Sequence, residues 1–240
     1  MTPEEYNEGQ VLLIDKPLKW TSFDVVHKVR NIIKIKKIGH AGTLDPLATG
    51  LLILCTGKKT KSIDLYQAQE KEYTGTLVFG KTTPSHDLET PFDAEFDVSH
   101  ISKEKINEVL LTFIGKIQQV PPIFSAIKVN GKRLYKQAHK GITDETIEIA
   151  IKSREVDVTV FELSDFENFP ALNFRIVCSK GTYIRSLVRD LGKALGAGAY
   201  MSALRRTRIG EFSVENALSL EDFLKENTAK VASGEETVHE

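Results

Sequence analysis

The stretch from residue 39 to residue 50, G-H-A-G-T-L-D-P-L-A-T-G, combines one carboxylate with unusual backbone positions. Gly39, Gly42 and Gly50 permit positive φ values or close approach of another group. Pro46 biases Asp45 towards an extended conformation, so the carboxylate is held in a defined pose. Such a group can act as a nucleophile or a general base. Asp followed by Pro is equally typical of a helix N-cap and first turn, and spacing alone leaves both interpretations open.

Charge is segregated along the chain. The 240 residues hold 32 Lys and Arg and 33 Asp and Glu, for a formal net charge of −1. Basic residues nevertheless cluster at 28–37, 128–140 and 205–208, and no acid lies between Asp24 and Asp45. Because electrostatic screening acts over about 8 to 10 Å, a local basic face decides whether phosphates are attracted. This pattern indicates chemistry on a nucleic acid, although the first cluster alone would also fit a solvated helix face.

Several motifs in register carry a family resemblance. Residues 39–54 resemble the catalytic motif of the TruB family of tRNA pseudouridine synthases, in which the Asp of the L-D-P step is the essential catalytic residue. Further matching segments follow the family's order: L-L-I-D-K-P at 12–17, K-E-Y at 71–73, V-P-P-I-F-S-A-I-K at 120–128 and C-S-K-G-T-Y-I-R at 178–185. The match runs from about Gly9 to Glu211.

The resemblance implies a role for each matched residue. It makes the protein an isomerase that converts the T-arm uridine at tRNA position 55 to pseudouridine. The implied catalytic residues are Asp45, Tyr73 and Arg185, and the implied substrate-binding residues are Lys16, His40, Asp87, Tyr183 and Leu204. Arg185 would pair with the catalytic carboxylate, and His40 would stack where the flipped uridine had been.

The residues themselves leave alternatives open. A half-buried core tyrosine would look like Tyr73, and a loop histidine bonded to backbone would look like His40. Arg189 could pair with solvent or with Asp190. Thr90 stands where the family usually has Gly, which leaves the turn after Asp87 undetermined. Many relatives also continue into a C-terminal PUA domain, for which this sequence has no room.

The periodicity predicts an α+β fold with a mixed, mainly antiparallel sheet flanked by helices. The resemblance implies the pseudouridine synthase fold, in which a long bent sheet carries the active cleft across its middle. A helix should start at Thr21 or Ser22, with Asp24 completing a capping box. Strands are predicted at 11–14, 73–79, 156–161 and 172–178, and further helices at 103–113, about 183–195 and 220–226.

Residues 9–227 are predicted to form the catalytic domain, with an insertion at about 121–150. Asn130-Gly131 is a hairpin signal inside a basic run, and such a protrusion suits a stem or loop of RNA. The resemblance implies that this region is a thumb that closes on the tRNA, and a surface hairpin followed by a solvated helix is the alternative. The residues expected to contact the RNA backbone are Lys128, Lys132, Arg133 and Lys136. The small, polar, acidic segment 228–240 is predicted to be a disordered tail.

Composition excludes several classes. No apolar run approaches the roughly 20 residues of a membrane span, and the first residues lack the basic and apolar regions of a signal peptide, so we expect a cytoplasmic protein. Cys55 and Cys178 end apolar runs and should be buried core thiols.

The reaction moves no atoms in or out, so neither a metal nor a cofactor is expected. We further expect a monomer that binds tRNA without an obligate protein partner. A guide-RNA-dependent relative and a non-catalytic RNA-binding protein are the competing functions.

Overall fold

The computed structural model describes residues 1–125, 128–129, 132–133 and 152–232. The chain divides into two compact units, one of Met1–Glu72 with Arg205–Glu240 and one of Tyr73–Leu204. The helices of the described part are α1 (Pro3–Gly9), α2 (Ser22–Ile32), α3 (Ile63–Ala68), α4 (Lys103–Leu110), α5 (Ile184–Ala194) and α6 (Leu220–Ala232). None of these helices is long and apolar enough to cross a membrane.

Its strands are mostly short. They are β1 (Val11–Lys16), β2 (Ile38–His40), β3 (Ala48–Thr56), β4 (Lys71–Phe79), β5 (Lys81–Thr82), β6 (Ala94–Glu95), β7 (Gly115–Gln119), β8 (Lys128–Val129), β9 (Lys132–Arg133), β10 (Arg154–Ser164), β11 (Ala171–Cys178), β12 (Ala199–Ile209), β13 (Phe212–Ser213) and β14 (Leu218–Ser219). Strands β4 and β12 have residues in both units.

The first unit is built on β3, whose apolar run is buried on both faces. Its strand order is β14, β1, β3, β12, and β2 also pairs with β3. β1 is parallel to β14 and antiparallel to β3. Because side chains alternate along a strand, Leu52 and Leu54 pack with α2 and α6, whereas Leu51 and Ile53 join a second cluster with Ile209. This double burial fixes the strand that follows the Asp45 segment.

Helix α2 forms for the local reasons predicted. The Thr21 side chain accepts a hydrogen bond from the Asp24 backbone N–H, and the Asp24 carboxylate accepts one from the Thr21 N–H. This capping box satisfies two backbone donors that have no partner within the helix. Val25, Val26 and Val29 then form the buried stripe. The predicted strand at 11–14 is likewise confirmed within β1.

The second unit contains a series of paired strands. Its order is β12, β4, β11, β10, β7, and β10 is antiparallel to both β11 and β7. Helix α5 buries Ile184, Leu187, Val188 and Leu191 along one face. The predicted helix at 103–113 is capped by Ser102 and ends in a 3₁₀ turn at Leu111–Phe113. The α+β class and the mixed, mainly antiparallel pairing are therefore confirmed.

Only part of the predicted insertion is described. Strands β8 and β9 are antiparallel, with Lys128 opposite Arg133 and Val129 opposite Lys132. This register leaves two residues between the strands and confirms the hairpin that Asn-Gly predicts. Lys136 and the remainder of the basic run lie outside the described residues.

The predicted tail starts too early. Helix α6 continues to Ala232, so residues 228–232 are helical, and residues 233–240 lie outside the described part. Asn227 is buried, accepts a hydrogen bond from the Tyr6 hydroxyl at 2.9 Å and donates one to the Phe223 carbonyl at 2.8 Å. Composition alone missed this long-range anchor, and no Gly or Pro interrupts the segment before Gly234.

The two cysteines lie in the core as predicted. Cys55 in β3 and Cys178 in β11 are buried free thiols. Burial raises the pKa of the Cys55 thiol to about 11. The thiol is therefore protonated at neutral pH and behaves as a small apolar side chain.

We predict that Gly50→Ala destabilises the protein by about 3 kcal/mol or more. Gly50 has a φ of +103°, and a Cβ there would lie 2.3 Å from the Arg206 carbonyl oxygen. The change therefore combines left-handed strain with a backbone clash. Gly115→Ala is the matched control, since Gly115 has a φ of +86° and no atom within 4 Å of the added Cβ. It should cost only about 1 to 2 kcal/mol. Equal destabilisation of the two variants in urea unfolding would contradict the clash.

Candidate active site

Asp45 lies in a tight turn, not at the start of a helix. The Asp45 carbonyl accepts a hydrogen bond from the Ala48 N–H at 3.1 Å, and Pro46 occupies the second position of this turn. Strand β3 begins directly at Ala48. The helix-cap interpretation of Asp-Pro is therefore wrong, and Asp45 is a half-buried turn residue.

The backbone is held on both sides of Asp45. On one side, the Leu44 N–H donates to the hydroxyl of the buried Ser22 at 2.8 Å. On the other side, the Pro46 carbonyl accepts from the Lys19 N–H at 2.8 Å. Ser22 is the first residue of α2, so the capping box also positions this hydroxyl. The backbone that carries the Asp45 carboxylate is therefore fixed in position.

Lys16, at the end of β1, is a fully buried cation beside this turn. Its Nζ donates to the carbonyls of Pro17 at 2.9 Å and Trp20 at 2.6 Å, with the Pro46 carbonyl at 3.4 Å. Burial, opposed by the Asp45 carboxylate and assisted by the Arg206 guanidinium, lowers the pKa of Lys16 to about 8. The amine is thus still mostly charged at neutral pH, and it tethers the 17–20 segment.

Arg206 is a second buried cation, and sequence reasoning missed it. It is only 1% exposed. Its Nε donates to the Leu51 carbonyl at 2.8 Å, and its Nη2 donates to the Gly42 carbonyl at 3.1 Å. It therefore ties β12 to both ends of the segment that carries Asp45. The available signal was strand alternation, because Arg206 stands two residues after the buried Leu204.

The basic cluster at 205–208 is not the open face that the charge map predicts. Arg205 makes two hydrogen bonds to the Asp15 carboxylate, at 3.1 and 2.6 Å. Arg208 pairs with Glu70 at 2.8 Å, and Arg206 is buried. The neutralising acids lie far away in sequence, so the local charge count could not reveal them.

His40, the last residue of β2, is half-buried in the same unit. Burial and, more weakly, the Arg206 guanidinium lower the pKa of the His40 ring. The ring is therefore neutral at physiological pH, which suits stacking against a base.

In the second unit, backbone carbonyls bind both terminal nitrogens of Arg185. It lies in the first turn of α5 and is 3% exposed. Its Nη1 donates to the Ser85 carbonyl at 3.0 Å, and its Nη2 donates to the Phe124 carbonyl at 2.8 Å. Its Nε lies 3.7 Å from the Asp87 carboxylate. These contacts fix the plane of the guanidinium.

Asp87, which the resemblance implies binds substrate, lies beside the Arg185 guanidinium. It is buried, and its Oδ1 accepts a hydrogen bond from the Glu89 N–H at 2.9 Å. The nearby turn closes without the family's Gly, because the Thr90 hydroxyl accepts from the Ser85 N–H at 3.1 Å. Thr90 thus resolves the departure seen in the sequence.

His86 and Arg189 complete the surroundings of Arg185. Burial, with smaller contributions from Arg189 and Arg185, lowers the pKa of His86 to about 3, so this ring is neutral at physiological pH. Its φ of +63° was not foreseen from the sequence. Arg189 pairs with Asp190 at 2.7 Å, which confirms one of the two alternatives for that residue.

Three other predicted residues lie in the second unit. Tyr183 precedes α5, and both its backbone N–H and its carbonyl bond to the Gln119 side chain, at 2.8 and 3.1 Å. Tyr73 in β4 and Leu204 in β12 are buried on neighbouring strands. The structure thus groups Lys16, His40 and Asp45 in one unit, and Asp87, Tyr183 and Arg185 in the other. The predicted pairing of Asp45 with Arg185 joins residues of different units and stays a prediction.

Comparison with known protein families decides the family. The TruB family pseudouridylate synthase N-terminal domain matches residues 30–184, and the tRNA pseudouridylate synthase B C-terminal domain matches residues 185–238. The chain belongs to the TruB family. Within the first of these matches lie Asp45, Tyr73 and Asp87, and Arg185 opens the second.

Curated relatives of the TruB family are similar over nearly their whole length. The tRNA pseudouridine synthase B of Flavobacterium johnsoniae is 55% identical over 227 residues, covering 92% of this chain and 96% of the relative. That of Parabacteroides distasonis is 50% identical over 236 residues, covering 95% and 98%.

Solved structures confirm the pseudouridine synthase fold. A Cbf5-Nop10-Gar1 complex contains a chain with a TM-score of 0.74 and 30% identity. The match covers 98% of this chain and 60% of that one, so the present chain spans about three-fifths of the solved chain's length. An H/ACA RNP bound to a substrate RNA containing 2′-deoxyuridine gives a TM-score of 0.70 at 28% identity.

We predict that Lys16 makes stability depend on pH in a defined window. Its folded pKa of about 8 lies below the ordinary value of 10.5, so the unfolded chain binds more protons between these values. The free energy of unfolding of the wild type, relative to Lys16→Met, should rise from pH 8 to 10.5 by up to about 3 kcal/mol. Other titrating groups cancel in this difference. For the exposed Lys61→Met the difference should stay flat, and a flat difference for Lys16→Met as well would refute the assignment.

Proposed function

We propose that this protein is a tRNA pseudouridine synthase that isomerises the T-arm uridine at tRNA position 55. Relatives that match this chain over nearly their whole length are named tRNA pseudouridine synthase B, and they support this reaction. The observation that carries it is the Asp45 turn, whose backbone is fixed on both sides and which lies beside the buried cation Lys16. The proposal includes a cytoplasmic monomer that acts without a cofactor.

The reaction needs one well-placed carboxylate. The bond between ribose C1′ and uracil N1 breaks, the base turns, and C1′ joins C5, whose proton is then lost to the solvent or to N1. An ionised Asp45 would act as the nucleophile at C1′ or as the base towards the sugar. In both cases the rate depends on a carboxylate that is oriented before substrate arrives. The hydrogen bonds that hold the backbone at Leu44 and Pro46 supply that orientation.

The second unit would supply the remaining chemistry. Arg185, oriented by the Ser85 and Phe124 carbonyls, would pair with the Asp45 carboxylate in the assembled site. Tyr73 would stack on the uracil and relay the C5 proton, while Tyr183 and Leu204 would line the base pocket. Asp87 would hold the Arg185 side chain in this pose.

Base flipping would make the uridine accessible. A uridine inside a folded loop cannot reach a half-buried carboxylate, so it must leave the stack. The neutral His40 ring at the end of β2 would occupy the vacated position. Lys16, whose Nζ donates a hydrogen bond to the Trp20 carbonyl, would support the substrate-binding surface from beneath. Lys128, Lys132, Arg133 and Lys136 would contact the RNA backbone from the thumb.

A guide-RNA-dependent enzyme is the second candidate, since a similar solved chain belongs to a Cbf5-Nop10-Gar1 complex. The relatives named tRNA pseudouridine synthase B, which match over nearly their whole length, favour the stand-alone enzyme instead. Incubating purified protein with a tRNA transcript, and no other RNA, separates the two. The stand-alone enzyme should produce pseudouridine at position 55 only.

We predict that Asp45→Asn abolishes pseudouridine formation but changes the Kd for tRNA by less than about threefold, because it removes the reactive group and no phosphate contact. Pseudouridine mapping and a binding titration measure the two effects. Asp64→Asn makes the same chemical change at an exposed position of α3 and should leave the rate unaltered. Turnover by Asp45→Asn at a rate near that of the wild type would rule out this mechanism.

We also predict that Arg185→Lys lowers kcat/KM at least about 100-fold, near 2.7 kcal/mol of transition-state stabilisation. An ammonium cannot reproduce the planar fork that bonds the Ser85 and Phe124 carbonyls. The neighbouring Arg189→Lys is the control and should stay within about threefold of the wild type. If the two variants were equally active, Arg185 would revert to a structural residue.

A further inference from the structure

The basic cluster at 28–37 differs from the other charged surfaces of the described chain. Its members are Lys28, Arg30, Lys34, Lys36 and Lys37, and among the described residues none of them forms an ion pair. Several lysines elsewhere are neutralised, as shown by Lys58 with Glu8 at 2.6 Å and Lys225 with Glu221 at 2.6 Å. Positive charge is therefore left uncompensated along the C-terminal half of α2 and just after it.

Three of these cations line one cleft. The cleft has a volume of about 520 Å³ and is lined by Arg30, Asn31, Lys34, Ile35 and Lys36. Lys34 has a φ of +54°, a left-handed conformation that turns the chain just after α2 ends. The turn brings Lys34 and Lys36 to the same cleft as Arg30, although they follow the helix.

One donor of Arg30 lacks an acceptor. The Arg30 Nε is buried and has no hydrogen-bond partner in the described structure. A buried donor without a partner is costly, and native structures satisfy such groups in nearly all cases. The cations at the helix end do complement the helix dipole. That effect accounts for neither the buried Nε nor Lys36, which lies beyond the last turn.

We propose that this cleft, which we call the α2 cleft, binds a backbone phosphate of the substrate RNA. This inference rests on the proposed function and adds a binding site separate from the thumb. A phosphate would pair with the Arg30 guanidinium, neutralise Lys34 and Lys36, and accept from the Asn31 amide. The cleft is shallow and open and carries no carboxylate on its lining, so a polyanion fits it better than an acidic protein side chain would.

The position of the cleft in the chain selects which phosphate it binds. Lys36 precedes His40 by four residues, and β2 is extended, so their backbones are at most about 14 Å apart. His40 lies on the segment that leads to Asp45. The phosphate therefore belongs to the RNA next to the reacting uridine, and an isolated T-arm stem-loop should contain it.

The test compares Lys34→Gln/Lys36→Gln with a matched pair, Lys58→Gln/Lys225→Gln. Both pairs remove two charges from exposed lysines of the same unit, but only the first pair is unpartnered. The Kd for a T-arm stem-loop and for full tRNA is measured between 50 and 200 mM salt. Adding Arg30→Gln to the first pair tests the contribution of the arginine on the cleft lining.

We expect the cleft pair to raise the Kd about five- to tenfold near 0.1 M salt, on both RNAs. The slope of log K against log salt should fall by about 0.7 to 0.9 for each phosphate that the variant no longer binds. Arg30→Gln should raise the Kd further. The single-turnover rate at saturating RNA should stay within about twofold of the wild type, and the control pair should match the wild type throughout.

Two results would overturn the proposal. One is a Kd and salt slope for the cleft pair equal to those of the control pair. The other is weaker binding of full tRNA alone, which would move the phosphate away from the T-arm. Failure of the proposed function is distinguishable, because a wild type that forms no pseudouridine refutes the enzyme activity while the binding comparison still decides the cleft.

Discussion

Immobilisation of the Asp45 turn is the constraint on which the first unit depends. The segment that carries this turn is hydrogen-bonded to Ser22 of α2 at Leu44, to Lys19 of the 17–20 segment at Pro46, and to Arg206 of β12 at Gly42. Each of these groups belongs to a different part of the chain. The sheet, the helix cap and the buried cations therefore converge on the position of one short segment, and changes in any of them should reach the carboxylate.

The cations that orient the site are buried, which is unfavourable unless their donors are satisfied. Lys16 and Arg206 meet the requirement with backbone carbonyls, and among the described residues neither makes an ion pair within 4.0 Å. In the second unit, the carbonyls of Ser85 and Phe124 orient Arg185 in the same way. Carbonyls orient a cation without cancelling its charge, and the lowered pKa of Lys16 measures the cost of its burial. A sequence motif can identify such a cation. Some of the carbonyls that orient its side chain, however, lie outside the motif.

Local features were determined by the sequence itself. The capping box of α2, the strands β1 and β11, the hairpin between β8 and β9 and the buried cysteines all depend on near neighbours and on periodicity. The motifs in register also identified the family and the candidate residues Asp45 and Arg185. These features can be predicted without knowledge of the fold because each depends on only a few adjacent residues.

Tertiary structure decided the rest. The bond from Arg206 to the Leu51 carbonyl joins residues 155 positions apart, so its burial becomes visible only when β12 lies beside β3. The same pairing of distant segments neutralises Arg205 with Asp15 and anchors α6 through Tyr6 and Asn227. Charge and composition counted along the chain contain no information about partners that far away. The sequence therefore determined which residues could do the chemistry, and long-range packing determined which cations stay exposed to solvent and which are buried beside the Asp45 segment.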